Sequence, residues 1–549
     1  MNNIKIFFLM SSFFFFFFSL NMFLFNFLFC LNWEIYSFNS VNFNFMIYLD
    51  WISMLFISVV MMIFGSVMMY SVEYMKYDKN IDRYIYLVLM FVYSMFFMIL
   101  SPSILSILIG WDGLGLISYC LVIFYNNMMS YNSGMITILC NRLGDISLIL
   151  MMCYMYIYGS WNLIFYKNLD LICLILLIIC AFTKSAQFPF SIWLPAAMAA
   201  PTPVSSLVHS STLVTSGVYL LIRYNYFINF FNIDVYMLII SSFTMFMAGL
   251  IANFEYDLKK IVALSTLSQL GLMMSILSLG FMDLALFHLL THAMFKSLLF
   301  MCSGVYIHLM KNNQDVRFYG GLYKNLPFTS MSMLISIFSL CGFPFFAGFY
   351  SKDMIMEIMF MNNMNLLILL MLLISTIFTV SYNFRLILYL FYNNYMFNSY
   401  MNFMETKFMS ISMILLIFMS LILGKIMIFL FFYSYLIILD LFMKLIVLIM
   451  CVVGLIIGYL FYLFNNNKGL FFYMIFSMFY MNMFYKMFIK LLNFGFYLNL
   501  YFDKFIENKF SLIFIKFSLF FLNYNYKINN FMNILKMIVM MIIFYFLIF

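Results

Sequence analysis

Two histidines and a lysine recur at a spacing of four residues within one apolar stretch, at His288, His292 and Lys296. A helix with 3.6 residues per turn places such residues on one face, so the three side chains would form a stripe. Imidazole and amine groups that line a hydrated interior can pass protons. Two histidines at this spacing can also bind zinc, but only Asp283 lies near enough in sequence to add a ligand. A proton relay is the favoured interpretation.

Two further lysines lie next to helix-breaking residues. Lys184 ends a long apolar run and is followed by four closely spaced prolines, at 189, 195, 201 and 203, and Lys352 with Asp353 follows Gly342-Phe-Pro344. Broken helices at membrane depth are tolerated where they line a cavity, and charges at that depth are usually functional. Lys184 could instead extend to the membrane interface. Two such breaks, 168 residues apart, are typical of transporters built from inverted repeats.

Other charged residues and one more histidine also fall inside apolar runs. Asp112 lies among glycines in Gly110-Trp-Asp-Gly-Leu-Gly115, and it is either hydrogen-bonded near a helix break or part of a proton path. Arg142 and Asp145, three residues apart, can form a local ion pair, and a structural and a proton-path role stay equally open. His209 follows the proline-rich segment.

Several kinds of chemistry lack the residues they need. The nine cysteines are scattered without a C-x-x-C spacing, so they are read as buried apolar residues, without a haem, iron–sulfur or zinc site. Neither a phosphate-binding glycine loop nor a nucleophile motif is present. We therefore expect no cofactor in this chain.

The composition predicts an all-α polytopic membrane protein. Of 549 residues, 67% are hydrophobic and 8% charged, against roughly 25% charged in soluble domains. Apolar runs predict about 15 transmembrane helices. The first is expected over 4–31 and the second from 45, with a polar link over 32–44 between them. Lys259 and Lys260 are expected at a membrane surface with a structural role.

The last 149 residues carry eleven lysines and four acidic residues, a net charge of +7. Lysines recur in an aromatic background from about 480 to 527, which predicts an amphipathic helix lying along a surface. Residues 531–549 predict a final transmembrane anchor. Basic residues interleaved with apolar ones favour lipid headgroups or a protein partner over nucleic acid.

These motifs resemble the antiporter-like membrane subunits of mitochondrial respiratory complex I, which are related to Mrp-type cation/proton antiporters. The basic surface stretch and last span favour the distal subunit of that set. The matching stretches are residues 110–119, 141–145, 183–190, 193–209, 264–271, 290–296 and 348–353.

The resemblance implies roles for particular residues. Asp112 and Lys184 take the place of the family's buried carboxylate–lysine pair, although the family usually has a glutamate where this chain has Asp112. His209, His288 and His292 match the central hydrophilic axis, and Lys352 with Asp353 matches the exit side.

The resemblance also implies a setting. The chain would lie in the mitochondrial inner membrane, in contact with other membrane-arm subunits, including the neighbouring antiporter-like subunit, and with lipids such as cardiolipin. NADH, FMN, iron–sulfur clusters and ubiquinone would bind to other subunits. Three regions follow: N-terminal helices over 1–83, a proton-translocating core over 84–400, and a C-terminal region over 401–549.

The resulting hypothesis is a subunit of NADH:ubiquinone reductase that translocates protons while electrons pass from NADH to ubiquinone elsewhere. One alternative is a stand-alone Mrp-type cation/proton antiporter, which the intramembrane residues alone do not exclude. Another is a purely structural membrane anchor.

Overall fold

The structure is a computed structural model that describes most of the chain up to residue 481 and short stretches beyond it. The described residues are 2–38, 41–166, 169–228, 233–362, 364–394, 396, 404–431, 437–463, 474, 477–481, 493–509, 511–512, 515–516 and 539–540. Contacts divide the chain into two units, Met1–Phe479 and Tyr480–Phe549.

The chain begins with helix α1, Asn2–Phe25, and an antiparallel hairpin of β1, Phe29–Phe38, and β2, Val41–Leu49. The predicted polar link over 32–44 and helix start at 45 are therefore wrong. Polar and apolar residues alternate along much of both strands, which is a strand period rather than a helix period. Helix α2, Trp51–Tyr74, begins only after Asp50, whose carboxylate accepts from the Ser53 amide at 3.0 Å in a capping box.

Helices make up almost all the rest of the first unit. They are α3 (Ile81–Leu100), α4 (Ile104–Val122), α5 (Met128–Met155), α6 (Leu171–Lys184), α7 (Trp193–Ala196), α8 (Thr202–Val204), α9 (Leu213–Arg223), α10 (Asn225–Ile228), α11 (Asp234–Ala252), α12 (Leu258–Ser278), α13 (Met282–Leu309), α14 (Leu322–Asn325), α15 (Pro327–Cys341), α16 (Ala347–Met361), α17 (Leu366–Ile387), α18 (Lys407–Leu430) and α19 (Leu441–Leu463). Short 3₁₀ helices lie at Tyr156–Tyr158, Leu163–Phe165, Phe190–Ile192, Ala197–Ala199 and Val316–Phe318, and π-helices at Ser205–Thr212 and Leu388–Tyr392. A further π-helix, Leu500–Lys504, belongs to the second unit.

Within the described residues, 12 helices are long and apolar enough to cross a membrane. The prediction of about 15 counted three stretches whose helices have fewer than 18 residues in the structure: α6 has 14 residues, and α15 and α16 have 15 each. These are the helices next to the two predicted breaks, so the lower number follows from the interruptions. The all-α polytopic class is confirmed, apart from the hairpin.

Both predicted helix breaks are present. After α6 the chain passes through short helical pieces to the π-helix Ser205–Thr212 before α9 restores regular geometry. The second break lies between α15 and α16, where Gly342 has a left-handed backbone with φ of 81°. Proline and glycine in these segments remove backbone hydrogen bonds and admit irregular turns.

The centre of the first unit is α13. Every residue of this helix from Leu284 to Ile307 is buried, and α12 is buried along nearly all of its length. Helices α2, α12, α15, α16 and α18 and the π-helix Ser205–Thr212 all pack against α13. The His/Lys stripe predicted from spacing therefore lies in the protein interior rather than against lipid.

In the second unit the described stretch 493–509 is helical, and its described side chains are exposed. It falls within the predicted surface helix of 480–527, most of which lies outside the described residues. The predicted anchor over 531–549 also lies outside them, except for Val539 and Met540.

Candidate functional site: a buried row of titratable side chains

The histidines of α13 make polar contacts with two neighbouring helices. His288 Nδ1 lies 2.9 Å from Ser351 Oγ of α16, and its Nε2 lies 3.1 Å from Gln269 Oε1 of α12. The His292 ring centre is 6.1 Å from that of His288. Both nitrogens of His292 are buried, and among the described residues neither has a hydrogen-bond partner. The predicted stripe thus contacts the second helix break through Ser351.

The lysines near this stripe are bound by hydroxyl groups. Lys296 Nζ donates to Ser265 Oγ of α12, and Lys352 Nζ donates to Thr379 Oγ1 of α17 at 2.8 Å. Both lysines are buried. Asp353, which follows Lys352, is only partly buried. Lys352 thus lies in the interior with the stripe, whereas Asp353 lies nearer the edge of the bundle.

Lys184 lies at the first break, at the end of α6. It is fully buried, its Nζ donates to the Trp111 carbonyl oxygen at 3.1 Å, and it lies 5.1 Å from the centre of the Trp111 ring. Asp145 acts on it electrostatically more strongly than Asp112 does. Lys184 is therefore held mainly by a carbonyl and an aromatic face, with the carboxylates further away.

Asp112, Arg142 and Asp145 form one cluster on α4 and α5. Arg142 Nη1 lies 3.5 Å from Asp112 Oδ2 and 3.3 Å from Asp145 Oδ2. The predicted pair of Arg142 with Asp145 is thus present, and Asp112 joins it. The Asp112–Lys184 pair expected from the resemblance does not form a direct ion pair, since no oxygen–nitrogen distance between these two described residues is within 4.0 Å. A shorter aspartate beside a competing guanidinium accounts for this geometry.

His209 lies in the π-helix Ser205–Thr212, buried, with its ring edge-on to Trp193 at 6.4 Å. Neither His209 nitrogen has a hydrogen-bond partner within the part of the chain that the structure describes. The Trp193 indole donates to the Thr183 carbonyl at 2.9 Å, next to Lys184. Trp193 therefore connects the turn that carries Lys184 with His209.

Sequence reasoning missed Lys259. This residue is buried and donates to the Ala200 carbonyl at 3.1 Å, inside the first break, so its predicted surface position is wrong. Lys260 does lie at the surface, paired with Asp257 at 2.6 Å. The available signal was that a helix turns by 100° per residue, so two adjacent lysines point in different directions and need not share one environment. Ser265 and Gln269, four apart on α12, lie in the matching stretch 264–271 but were given no role.

The arrangement offers proton binding sites rather than covalent chemistry. In the described parts of the chain, no group of three or more His, Cys, Asp or Glu residues could hold a metal ion. Both nitrogens of His288 already contact a hydroxyl and an amide oxygen. What remains is a series of amines, imidazoles and hydroxyls on contacting helices, each able to take up and release a proton.

Broken helices around a buried row of lysines and histidines define an antiporter-like membrane protein. Two family models match the sequence: "NADH:quinone oxidoreductase/Mrp antiporter, TM" over residues 101–379, and "NADH-Ubiquinone oxidoreductase (complex I), chain 5 N-terminus" over residues 33–85. The predicted class is confirmed by the first of these, which covers both helix breaks.

Curated relatives narrow the class to one family. The chain is 49% identical over 482 residues to NADH-ubiquinone oxidoreductase chain 5 of Anopheles gambiae, which covers 86% of this chain and 83% of the relative. It is 50% identical over 471 residues to the Aedes aegypti protein of the same name, covering 83% and 80%. The Locusta migratoria protein of that name is 50% identical over 440 residues, covering 78% and 76%. The chain belongs to the NADH-ubiquinone oxidoreductase chain 5 family.

The fold has a solved counterpart. A chain in the structure of the Mrp complex from Dietzia sp. DQ12-45-1b superposes with a TM-score of 0.74 at 21% identity. The match covers 90% of this chain and 57% of that one, so this chain corresponds to little more than half of its counterpart. At this identity the likeness concerns the fold alone.

Proposed function

We propose that this chain is a core membrane subunit of respiratory complex I that translocates protons along the buried row. Electrons would pass from NADH to ubiquinone in other subunits, which would hold the FMN and iron–sulfur clusters. The observation that carries the proposal is the buried sequence Lys184, His209, His288, His292 and Lys352, on helices that contact one another around two breaks. Buried ionisable groups in a membrane bundle are costly and therefore usually functional.

Proton movement in this proposal begins at Lys184. The guanidinium of Arg142 holds the carboxylates of Asp112 and Asp145, and a shift of either carboxylate toward Lys184 would stabilise its ammonium form. When the carboxylate returns to Arg142, the ammonium loses that support and releases its proton inward. His209 and the pair His288–His292 then accept and donate a proton in turn.

The far end of the path in this proposal is at Lys352 and Asp353. Ser351 contacts His288 and precedes Lys352 directly, so a proton on the imidazole is one hydroxyl away from the second break. Lys352 donates to Thr379, and the partly buried Asp353 would pass the proton toward the edge of the bundle. Hydroxyl groups suit this task because each can donate and accept.

The cluster of Asp112, Arg142 and Asp145 supports a protein partner in the membrane. In the chain alone the Arg142 side chain is 43% exposed and that of Asp112 is 29% exposed, although both lie well within membrane-spanning helices. Charges at that depth do not face lipid stably. We propose that another membrane-arm subunit of complex I, the neighbouring antiporter-like one, covers this face of α4 and α5. Lipids such as cardiolipin would contact other faces.

The family name supports a location in the mitochondrial inner membrane, where the chain would be a multi-pass protein. We propose three regions: N-terminal helices over 1–83, a proton-translocating core over 84–400, and a C-terminal region over 401–549 that braces the complex.

Lysine replacement in the assembled complex tests the function. We expect Lys184→Met or Lys352→Met to abolish most redox-coupled proton translocation in sealed vesicles, because methionine fills the same space without a titratable group. Lys260→Met is the matched control: this lysine lies at the surface, and the variant should pump normally. Normal pumping by both Lys184→Met and Lys352→Met, with assembly verified on a native gel, would refute the mechanism.

A stand-alone cation/proton antiporter remains the second candidate, supported by the shared fold with the Mrp chain. The relatives at about 50% identity support a complex I subunit more strongly. Native-gel migration separates the two, since a free chain near 65.4 kDa would favour the antiporter. A purely structural anchor would be favoured if pumping survived loss of every buried lysine.

A further inference from the structure

A cluster of hydroxyl groups lies between the end of α2 and the start of α8, outside the row described above. Tyr70 and Thr202 are fully buried there, against Gly304 of α13. A Cβ added to Gly304 would collide with Tyr70 Oη and lie 2.6 Å from Thr202 Oγ1. The two hydroxyls therefore flank the same point on α13, where only glycine leaves room for both.

These hydroxyls are not satisfied in the usual way. In membrane helices a buried Ser or Thr commonly donates to a carbonyl in the preceding turn, as Thr376 donates to Leu373 at 2.7 Å. Thr202 begins its helix and has no preceding turn. Its hydroxyl lies beside the phenols of Tyr70 and Tyr74. Among the described residues, neither the Tyr70 nor the Thr202 hydroxyl has a partner at hydrogen-bond distance and angle. One bridging water or a small rotation would connect them.

The outer end of this cluster reaches partly exposed titratable groups. The Tyr74 ring stacks on Tyr70 at 5.6 Å and lies tilted against the His308 ring at 5.4 Å, where α2 and α13 end. Glu73, next to Tyr74, is partly exposed, accepts from the Met409 amide at 3.3 Å and acts electrostatically on His308. A carboxylate and an imidazole at a membrane surface can exchange protons with water.

The inner end of the cluster leads to His209. Thr202 and His209 are seven residues apart on one continuous helical segment, which is α-helical up to Val204 and π-helical from Ser205. Ser206 lies between them, is buried, and donates to the Pro203 carbonyl at 2.9 Å. Both ring nitrogens of His209 are buried, and neither has a hydrogen-bond partner in the described structure. The polar side chains thus continue from the surface to the row.

We propose that Glu73, Tyr74, Tyr70 and Thr202 form a proton access branch between the membrane surface and His209. This inference rests on the function proposed above and adds a route to it. Each hydroxyl would accept a proton on oxygen and release its own to the next group, so the chain conducts without net chemical change. Gly304 is the positioning residue, because its missing side chain lets Tyr70 and Thr202 approach one another.

The test uses the assembled complex in sealed vesicles, with proton translocation measured during NADH oxidation. Thr202→Val and Tyr70→Phe should each lower the rate several-fold, toward the level of Lys184→Met, because they remove hydroxyls while keeping shape. Thr202→Ser should restore at least half of the wild-type rate. Thr376→Val, the matched control, should leave the rate unchanged, since its hydroxyl serves only its own helix.

A second pair of variants separates blocked conduction from poor folding. Gly304→Ala should reduce both assembly and pumping, because its Cβ would collide with Tyr70 Oη and with Thr202. The Thr202→Val/Tyr70→Phe double variant should assemble normally on a native gel and lose pumping. Normal pumping by the Thr202→Val/Tyr70→Phe double variant, while Lys184→Met is inactive, would overturn the branch and leave the proposed function standing. Normal pumping by Lys184→Met as well as Lys352→Met would instead overturn the proposed function itself.

Discussion

Replacing Arg142 with glutamine measures whether a neighbouring polypeptide covers the outer face of α4 and α5. The guanidinium nitrogen is shared by Asp112 at 3.5 Å and Asp145 at 3.3 Å, so the change leaves two carboxylates without their cation. If water covers the cluster, the loss of stability should be at most about 1 kcal/mol, as for exposed ion pairs. If a partner excludes water, two stranded charges should cost about 3–5 kcal/mol.

We expect the larger loss, seen as less assembled complex on a native gel and earlier thermal dissociation. Adding Asp145→Asn should recover most of it, because the double variant regains the cluster's original net charge. Lys260→Gln is the control, since its ion pair with Asp257 lies at the surface and should matter little. An Arg142→Gln complex as stable as wild type, or a double variant no better than the single one, would refute the argument that the cluster is covered.

Two further predictions concern stability. Arg223 forms a bidentate ion pair with the buried Asp50, so Arg223→Met leaves that carboxylate without its cation and should cost about 3–5 kcal/mol, read as a lower melting temperature. Burial raises the pKa of Asp50, but Arg223 and the Ser53 amide outweigh it and hold that pKa below its ordinary value. This stabilisation should therefore be complete above about pH 4 and be lost as pH falls further, and Asp50→Asn should flatten that acid dependence. At the second break, Gly348→Ala would bring the new Cβ against the Ser339 carbonyl, so the melting temperature should fall. Ala347→Gly, one residue away, is the control and should lower the melting temperature less.

Features fixed by local spacing were predictable from the sequence. The stripe on α13 follows from helical periodicity alone, and both helix breaks follow from glycine and proline. The ion pair of Arg142 with Asp145 joins residues three apart on one helix. Each of these depends on one segment of chain, so the residues and their order contain the necessary information.

Features that depend on packing between segments were not predictable in the same way. The partner of Asp112 is Arg142, 30 residues away, and only the contact of α4 with α5 decides that it is not Lys184. Which of Lys259 and Lys260 is buried depends on how α12 meets the first break. The hairpin after α1 went unrecognised because its strands contain enough apolar residues to be mistaken for helix ends.

The partners of the buried lysines explain how an electrical change could move protons through this fold. Four lysines are buried in the central helices and breaks of the first unit: Lys184, Lys259, Lys296 and Lys352. In the described structure, none of their amine nitrogens lies within 4.0 Å of a carboxylate oxygen. Each instead donates to a carbonyl or a hydroxyl. Such oxygens orient an ammonium but compensate little of its charge, and a buried unpaired charge is costly. The protonation of each lysine is therefore sensitive to any charge that approaches it. Displacement of one carboxylate near Lys184 would change the field at the next site, and the row would respond in sequence without any large movement of the helices.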